Sequence, residues 1–144
     1  IIAAERYTIF NMKKSFFYIG FLFAALLSSC EKDEGKLPAI SFKTGAGYTF
    51  EDKIVAKNAV VLIGIDAAKT EDKDVLKTFD VSRGYDGAAV SSFINESLTG
   101  AQGDSYSRDV SITTRNQEGT EKYVFTVINR DGLINNVTLV LTVQ

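Results

Sequence analysis

Two patterns of hydrophobicity divide the chain. Residues 16–27 (FFYIGFLFAALL) form an unbroken apolar run within a non-charged stretch from Ser15 to Cys30. Beyond Pro38 the apolar residues alternate with polar ones in short segments rich in Val, Ile, Thr, Phe and Tyr, which is the period of a half-buried strand. Seven strands are expected. Ala39–Lys43 sets Ile40 and Phe42 on one face. Asn58–Asp66 is apolar on both faces, and so reads as central, with Val61, Ile63 and Ile65 as its stiffer set. Val75–Arg83 alternates through Phe79 and Val81. Ala88–Asn95 is weaker and ends in a short helical turn through Phe93, Ile94 and Leu98. Tyr106–Thr114 alternates through Val110 and Ile112. Glu121–Asn129 sets Tyr123, Phe125 and Val127 against Lys122, Val124 and Thr126. Asn136–Val143 sets Val137, Leu139, Leu141 and Val143 on one face.

The segments between these strands carry turn chemistry: TGAGY at 44–48, RGYDG at 83–87, TGAQGD at 99–104, NQEGT at 116–120 and NRDG at 129–132. Asp-Gly accepts a positive φ at little cost and favours a hairpin between the last two strands. No long amphipathic helix and no internal repeat interrupts the series. The expected fold class is all-β, a seven-stranded antiparallel β-sandwich over residues 38–144.

The apolar run at the other end has different flanks. Lys13 and Lys14 precede it and small residues follow, which are the marks of a secretory signal peptide. At 12 residues it is too short for a membrane-spanning helix, which needs about 20. The chain opens on Ile1 and its single Met is Met12, so residues 1–11 read as an overcalled extension and 12–29 as the signal peptide. Leu27-Ser28-Ser29-Cys30 resembles the bacterial lipobox. That resemblance implies that Leu27, Ser28 and Ser29 are read by the signal peptidase and that the Cys30 thiol takes the lipid, as palmitate or a related acyl chain. Lys32-Asp33-Glu34 resembles the export signal that sends lipoproteins of Bacteroidota to the outer face of the outer membrane. Residues 30–37 then form the lipidated Cys and a short acidic tether, whose seven residues Glu31–Leu37 reach about 25 Å when fully extended, and the protein is expected to be anchored to the outer membrane, exposed at the cell surface, rather than spanning it.

Composition narrows the chemistry. The chain has 144 residues, no His, no Trp, one Cys and a net charge of -2. Without His there is no Ser-His-Asp triad and no His-based zinc site. One Cys forms no disulfide framework. Removing residues 1–29 takes three cations (Arg6, Lys13, Lys14) and one acid (Glu5), which leaves a net charge of -4. Such a balance gives no electrostatic drive toward nucleic acid. The acidic pairs sit in polar clusters such as Glu51-Asp52 and Glu71-Asp72-Lys73-Asp74. Asp66, Glu71, Asp72 and Asp74 offer oxygen ligands to calcium if their loop folds back, but without EF-hand spacing. The expectation is therefore no enzyme, no assigned metal and no cofactor.

A resemblance adds to this. GTEKYVFTV at 119–127, followed by Asp131-Gly132 and LVLTV at 139–143, looks like the final hairpin of the Ig-like domains of bacterial surface proteins. It implies an Ig-like sandwich in which Tyr123 takes the place of the corner tyrosine, although the Trp and paired Cys of the antibody branch are absent. The whole chain resembles small surface lipoproteins of Bacteroidota, often linked to glycan uptake. The function implied is a lipid-anchored module that contacts a glycan or an outer-membrane protein through its loops, with Tyr48, Tyr85 and Tyr106 as candidate ligand contacts. The alternative is a structural envelope lipoprotein without a soluble ligand.

Overall fold

The computed structural model describes residues 35–144. The expected signal peptide, Leu27, Ser28, Ser29, the lipidation site Cys30 and the export signal Lys32, Asp33 and Glu34 lie outside the described residues.

Eight strands form two sheets. They are β1 (Ala39–Phe42), β2 (Lys53–Val55), β3 (Val60–Ala68), β4 (Leu76–Tyr85), β5 (Ser91–Ser97), β6 (Ser105–Thr113), β7 (Gly119–Asn129) and β8 (Ile134–Val143). One sheet has the order β1-β3-β6 and the other β2-β8-β7-β4-β5. The chain crosses from the larger sheet to the smaller between β5 and β6 and returns between β6 and β7. This is the Greek-key arrangement of an immunoglobulin-like sandwich.

Alternation explains which faces meet. In β7 the positions Tyr123, Phe125 and Val127 are buried, while Thr120 and Lys122 are exposed. Leu139, Leu141 and Val143 of β8 and Phe79 and Val81 of β4 line the same inner face. Ile63 and Ile65 of β3 meet them from the smaller sheet and are wholly buried. Phe42 packs edge-on against Phe125 at 5.8 Å between ring centroids. Each such side chain contributes about 1.5–3 kcal/mol on leaving water.

The expected strands are present with edges shifted by a few residues, and three features differ. The first is an eighth strand, β2, which pairs with β8 in parallel, so the sandwich is neither seven-stranded nor purely antiparallel. Three residues are too few for any period to show. Pairing with β8 recruits them, and the backbone N–H of Gln144 donates to the Val55 carbonyl at 3.0 Å. The second concerns β5, which runs straight through Phe93 and Ile94 to Ser97. The helical turn falls later, as a 3-10 turn at Gly100–Gly103, with Leu98 buried between the two. The third is the start of the body. Lys36 and Leu37, expected in the tether, are already bound to it.

That entry point is closely held. The Lys36 backbone N–H donates to Glu71 Oε2 at 3.2 Å. Thr70 Oγ1 donates to the Leu37 carbonyl at 2.9 Å, and Asn135 Nδ2 donates to the Pro38 carbonyl at 2.8 Å. Beneath them Asp74 is buried with its carboxylate bonded to Asn129 Nδ2. The Asn129 side chain also donates to the Lys36 carbonyl at 3.3 Å and accepts from the Leu133 N–H at 2.7 Å. Entry therefore lies at the Asn129 end of β7. Ten residue steps of about 3.3 Å place the Gly119 end about 33 Å away.

Candidate functional site

The far end of the sandwich is built around a hairpin turn. Asp86 and Gly87 have φ of 51° and 82°, and the Ala88 N–H donates to the Tyr85 carbonyl at 2.8 Å. Two central residues with positive φ define the tight turn that suits a twisted hairpin, and Asp-Gly is a sequence that adopts it. The turn sends the Asp86 carboxylate back toward Arg115, on the crossover from β6 to β7. Arg115 Nη1 and Nη2 donate to its two oxygens at 3.0 and 3.2 Å, and the Thr120 N–H adds a third bond at 2.8 Å. The Arg115 guanidinium beside Asp86 holds its carboxyl below the usual carboxylate range.

A buried carboxylate anchors Arg115 from the other side. Glu121 is 0% exposed. Its Oε1 accepts from the Arg115 backbone N–H at 2.8 Å and from Arg115 Nε at 3.1 Å, and its Oε2 accepts from the Tyr123 hydroxyl at 2.6 Å. A buried carboxylate persists only when paired and hydrogen-bonded, and here both oxygens are used. Burial, then the Glu121 bond, pushes the Tyr123 hydroxyl well above the ordinary phenol range. Tyr123 thus ties its strand to the crossover through a carboxylate, not through the backbone carbonyl of a tyrosine corner.

Outward from this support, cationic and aromatic groups alternate. The Arg115 guanidinium lies 4.1 Å from the Tyr85 ring centroid, and Arg83 lies 5.6 Å from the same ring. Arg83 also lies 4.7 Å from the ring centroid of Phe93, which meets Tyr123 edge-on at 6.4 Å. Arg83, Tyr85 and Phe93 occupy the inner face of the larger sheet, where the three-stranded sheet does not reach. Arg83 is exposed and Phe93 is 37% exposed.

The three tyrosines singled out in the sequence part company. Tyr85 belongs to this cluster. Tyr48 is half-buried on the outer face of the smaller sheet, where its hydroxyl donates to Asp109 at 3.1 Å and Lys43 Nζ reaches the same carboxylate at 2.6 Å. Tyr106 is not presented to a ligand. It is 7% exposed, packs on Phe79 at 5.2 Å and donates to Glu96. Alternation alone places it inward, opposite Ala67. Arg83 and Phe93, read from the sequence only as strand and turn residues, were not expected as ligand contacts, because nothing local says that the inner face near them lacks a partner sheet.

Two further arrangements were candidates for chemistry. An open groove of about 430 Å³ runs over the outer face of the smaller sheet, with Ser41, Asp66 and Ser107 side by side in register and alanines around them. The acidic residues weighed for calcium do not converge: Asp66 lies in that groove, Glu71 holds the Lys36 N–H and Asp74 is taken up by Asn129. Among the described residues no three acidic, Cys or His side chains are grouped to hold a metal ion.

No family model matches the chain, and no curated protein matches it. Among solved structures it is similar to superoxide reductase (neelaredoxin) from Ignicoccus hospitalis, at 6% identity and a TM-score of 0.51, covering 79% of this chain and 88% of that one. It is also similar to a CARDB domain from Pyrococcus furiosus, at 14% identity and a TM-score of 0.43, covering 76% and 91% of the two chains. Murine CRIg matches at 11% identity and a TM-score of 0.42, covering 76% and 99%. At these identities the likeness shows the fold alone. It does correct the expectation that the chain is not an enzyme. Superoxide reductase is an enzyme of similar fold, so the all-β architecture gives no ground for that exclusion.

Proposed function

We propose that this protein is a lipid-anchored binding module of the bacterial cell surface, acylated at Cys30, which meets its ligand at the Arg83–Tyr85–Phe93 end of the sandwich. One observation carries the reading. Exposed Arg83 and Phe93 and half-buried Tyr85 lie together toward the end opposite to the one where the chain enters the body, beside a support fixed by Asp86, Arg115 and Glu121. The chain enters the body at Lys36, so on this reading the entry end would be the one turned toward the membrane and the cluster the one turned away from it. Planar aromatic and guanidinium groups on a rigid scaffold are the usual makings of a recognition surface.

A glycan or a neighbouring outer-membrane protein is the partner this reading expects. A purely structural envelope protein would use an unguarded sheet edge for assembly. The edge strand β5 has a register shift against β4 at Val81/Ser82, which leaves Phe93 outside the pairing, and such a bulge blunts that edge; the nine-residue β6, an edge of the smaller sheet, is what the alternative would use. The binding reading is preferred for the aromatic and cationic cluster at Arg83, Tyr85 and Phe93.

The test has two arms. Cys30→Ala in cells fed a labelled fatty acid is expected to lose the label and release the protein from the membrane, and protease shaving of intact cells is expected to digest the parent. Glycan arrays and pull-downs with the full chain are expected to give a ligand whose binding falls on Tyr85→Ala. Retained label in the Cys30 variant, or no ligand in either screen, would overturn the corresponding arm.

A further inference from the structure

The structure assigns Arg83 as the receptor for a carboxylate, and we propose that the ligand is an acidic saccharide, a glycan bearing uronic or sialic acid residues. This rests on the binding-module reading and names its ligand chemistry. Four arginines occur among the described residues. Arg108 pairs with Glu96 at 3.1 Å, Arg115 with Asp86 and Glu121, and Arg130 with Asp131 at 3.3 Å. Arg83 alone of the four has no carboxylate. It is exposed, and its guanidinium lies against Phe93 and Tyr85 instead.

Stacking on aromatic rings leaves the N–H edge of a guanidinium free. That edge is a planar fork of donors whose spacing matches the two oxygens of a carboxylate. The rings also limit the rotamers of a long side chain, so less freedom is lost when a ligand binds. Arg115 takes its own carboxylate, Asp86, in this bidentate manner while lying over Tyr85. Arg83 repeats half of that arrangement and lacks the acid.

The surroundings favour a sugar over a peptide. An acidic peptide strand would need the free edge of β5, and the bulge at Phe93 interrupts it. The surface beside Arg83 instead offers the hydroxyl of Ser91, its partner across the ladder, and the exposed face of Phe93. Hydroxyls and an aromatic face suit a pyranose ring, and Arg83 takes its carboxylate.

The experiment uses the full chain in detergent and calorimetric titration with oligomers of galacturonate, glucuronate and mannuronate and with sialyllactose. Each is paired with its carboxyl-reduced counterpart, and a glutamate-rich peptide is included. At least one acidic saccharide is expected to bind, with its reduced counterpart about 10–100-fold weaker, the range for losing a hydrogen bond to a charged group. Arg83→Gln is expected to lose the same factor. Arg83→Lys is expected to recover little, because it keeps the charge without the fork. Binding of a neutral glycan that Arg83→Gln leaves unchanged, or of the peptide alone, overturns this inference and leaves the binding-module reading standing. If no saccharide in the panel binds, the inference falls. If the array and pull-down screens are empty as well, so does the reading beneath it.

Discussion

The hydroxyl of Tyr123 donates to the carboxylate of Glu121 two residues earlier on the same buried face of β7, at 2.6 Å. Through the other carboxylate oxygen this pair reaches the backbone and side chain of Arg115, so one buried acid joins strand β7 to the crossover that precedes it.

Removing that acid strands its partners. Glu121→Ala leaves the buried Tyr123 hydroxyl and the Arg115 backbone N–H and Nε without their acceptor, while the rest of the guanidinium keeps Asp86. Orphaning buried partners of a charged group is expected to cost about 1–3 kcal/mol or more. Tyr123→Phe removes one donor and is expected to cost about 1–3 kcal/mol. Urea unfolding of both variants measures this, and a loss below about 1 kcal/mol for Glu121→Ala would refute the role.

Gly64, mid-strand in β3, is fixed by a close crossing. A Cβ there would lie 2.6 Å from Lys43 Cδ, 2.7 Å from Tyr48 Cε1 and 2.8 Å from Lys43 Cβ. Gly64→Ala is expected to push Lys43 and Tyr48 off Asp109 and to cost about 1–3 kcal/mol by overpacking. Lys43 holds the Asp109 carboxyl below its usual range, so NMR titration of Asp109 should move upward in the variant.

At the entry end, Asp74 and Asn129 share a buried hydrogen bond. Each alanine substitution is expected to cost about 1–3 kcal/mol by orphaning its partner. The double variant is expected to cost less than the sum of the two, with a coupling of about 0.5–3 kcal/mol. A double-mutant cycle in urea gives the number, and strict additivity would show that the two side chains act separately.

Alkaline pH should weaken the fold through Tyr106. Burial, then the bond to Glu96, raises its hydroxyl from 10.0 to about 12. The neutral phenol is the form favoured in the folded state. Its contribution is therefore complete below pH 10.0 and lost as the pH rises from there through about 12. Thermal melts of the parent and Tyr106→Phe across that range should converge as the pH rises. A constant difference would contradict the assignment.

The inner faces were legible because burial against a second sheet imposes a period of two. Tyr123, Phe125 and Val127, and Leu139, Leu141 and Val143, are identifiable without coordinates. The Asp-Gly turn at 86–87 was marked by composition alone, since positive φ selects those residues. The binding cluster was legible only in part. Tyr85 was visible as an aromatic in a turn, whereas Tyr106, visible for the same reason, belongs to the core.

The sequence by itself determined the strand series, the faces that meet and most of the turns, because these depend on neighbours within a few residues. Only the tertiary structure decided the parallel pairing of β2, the burial of Glu121 and Asp74 and the lack of a carboxylate for Arg83. Each of those depends on a partner far along the chain, or on the absence of one, and no local pattern of side chains records which distant groups the fold brings into reach.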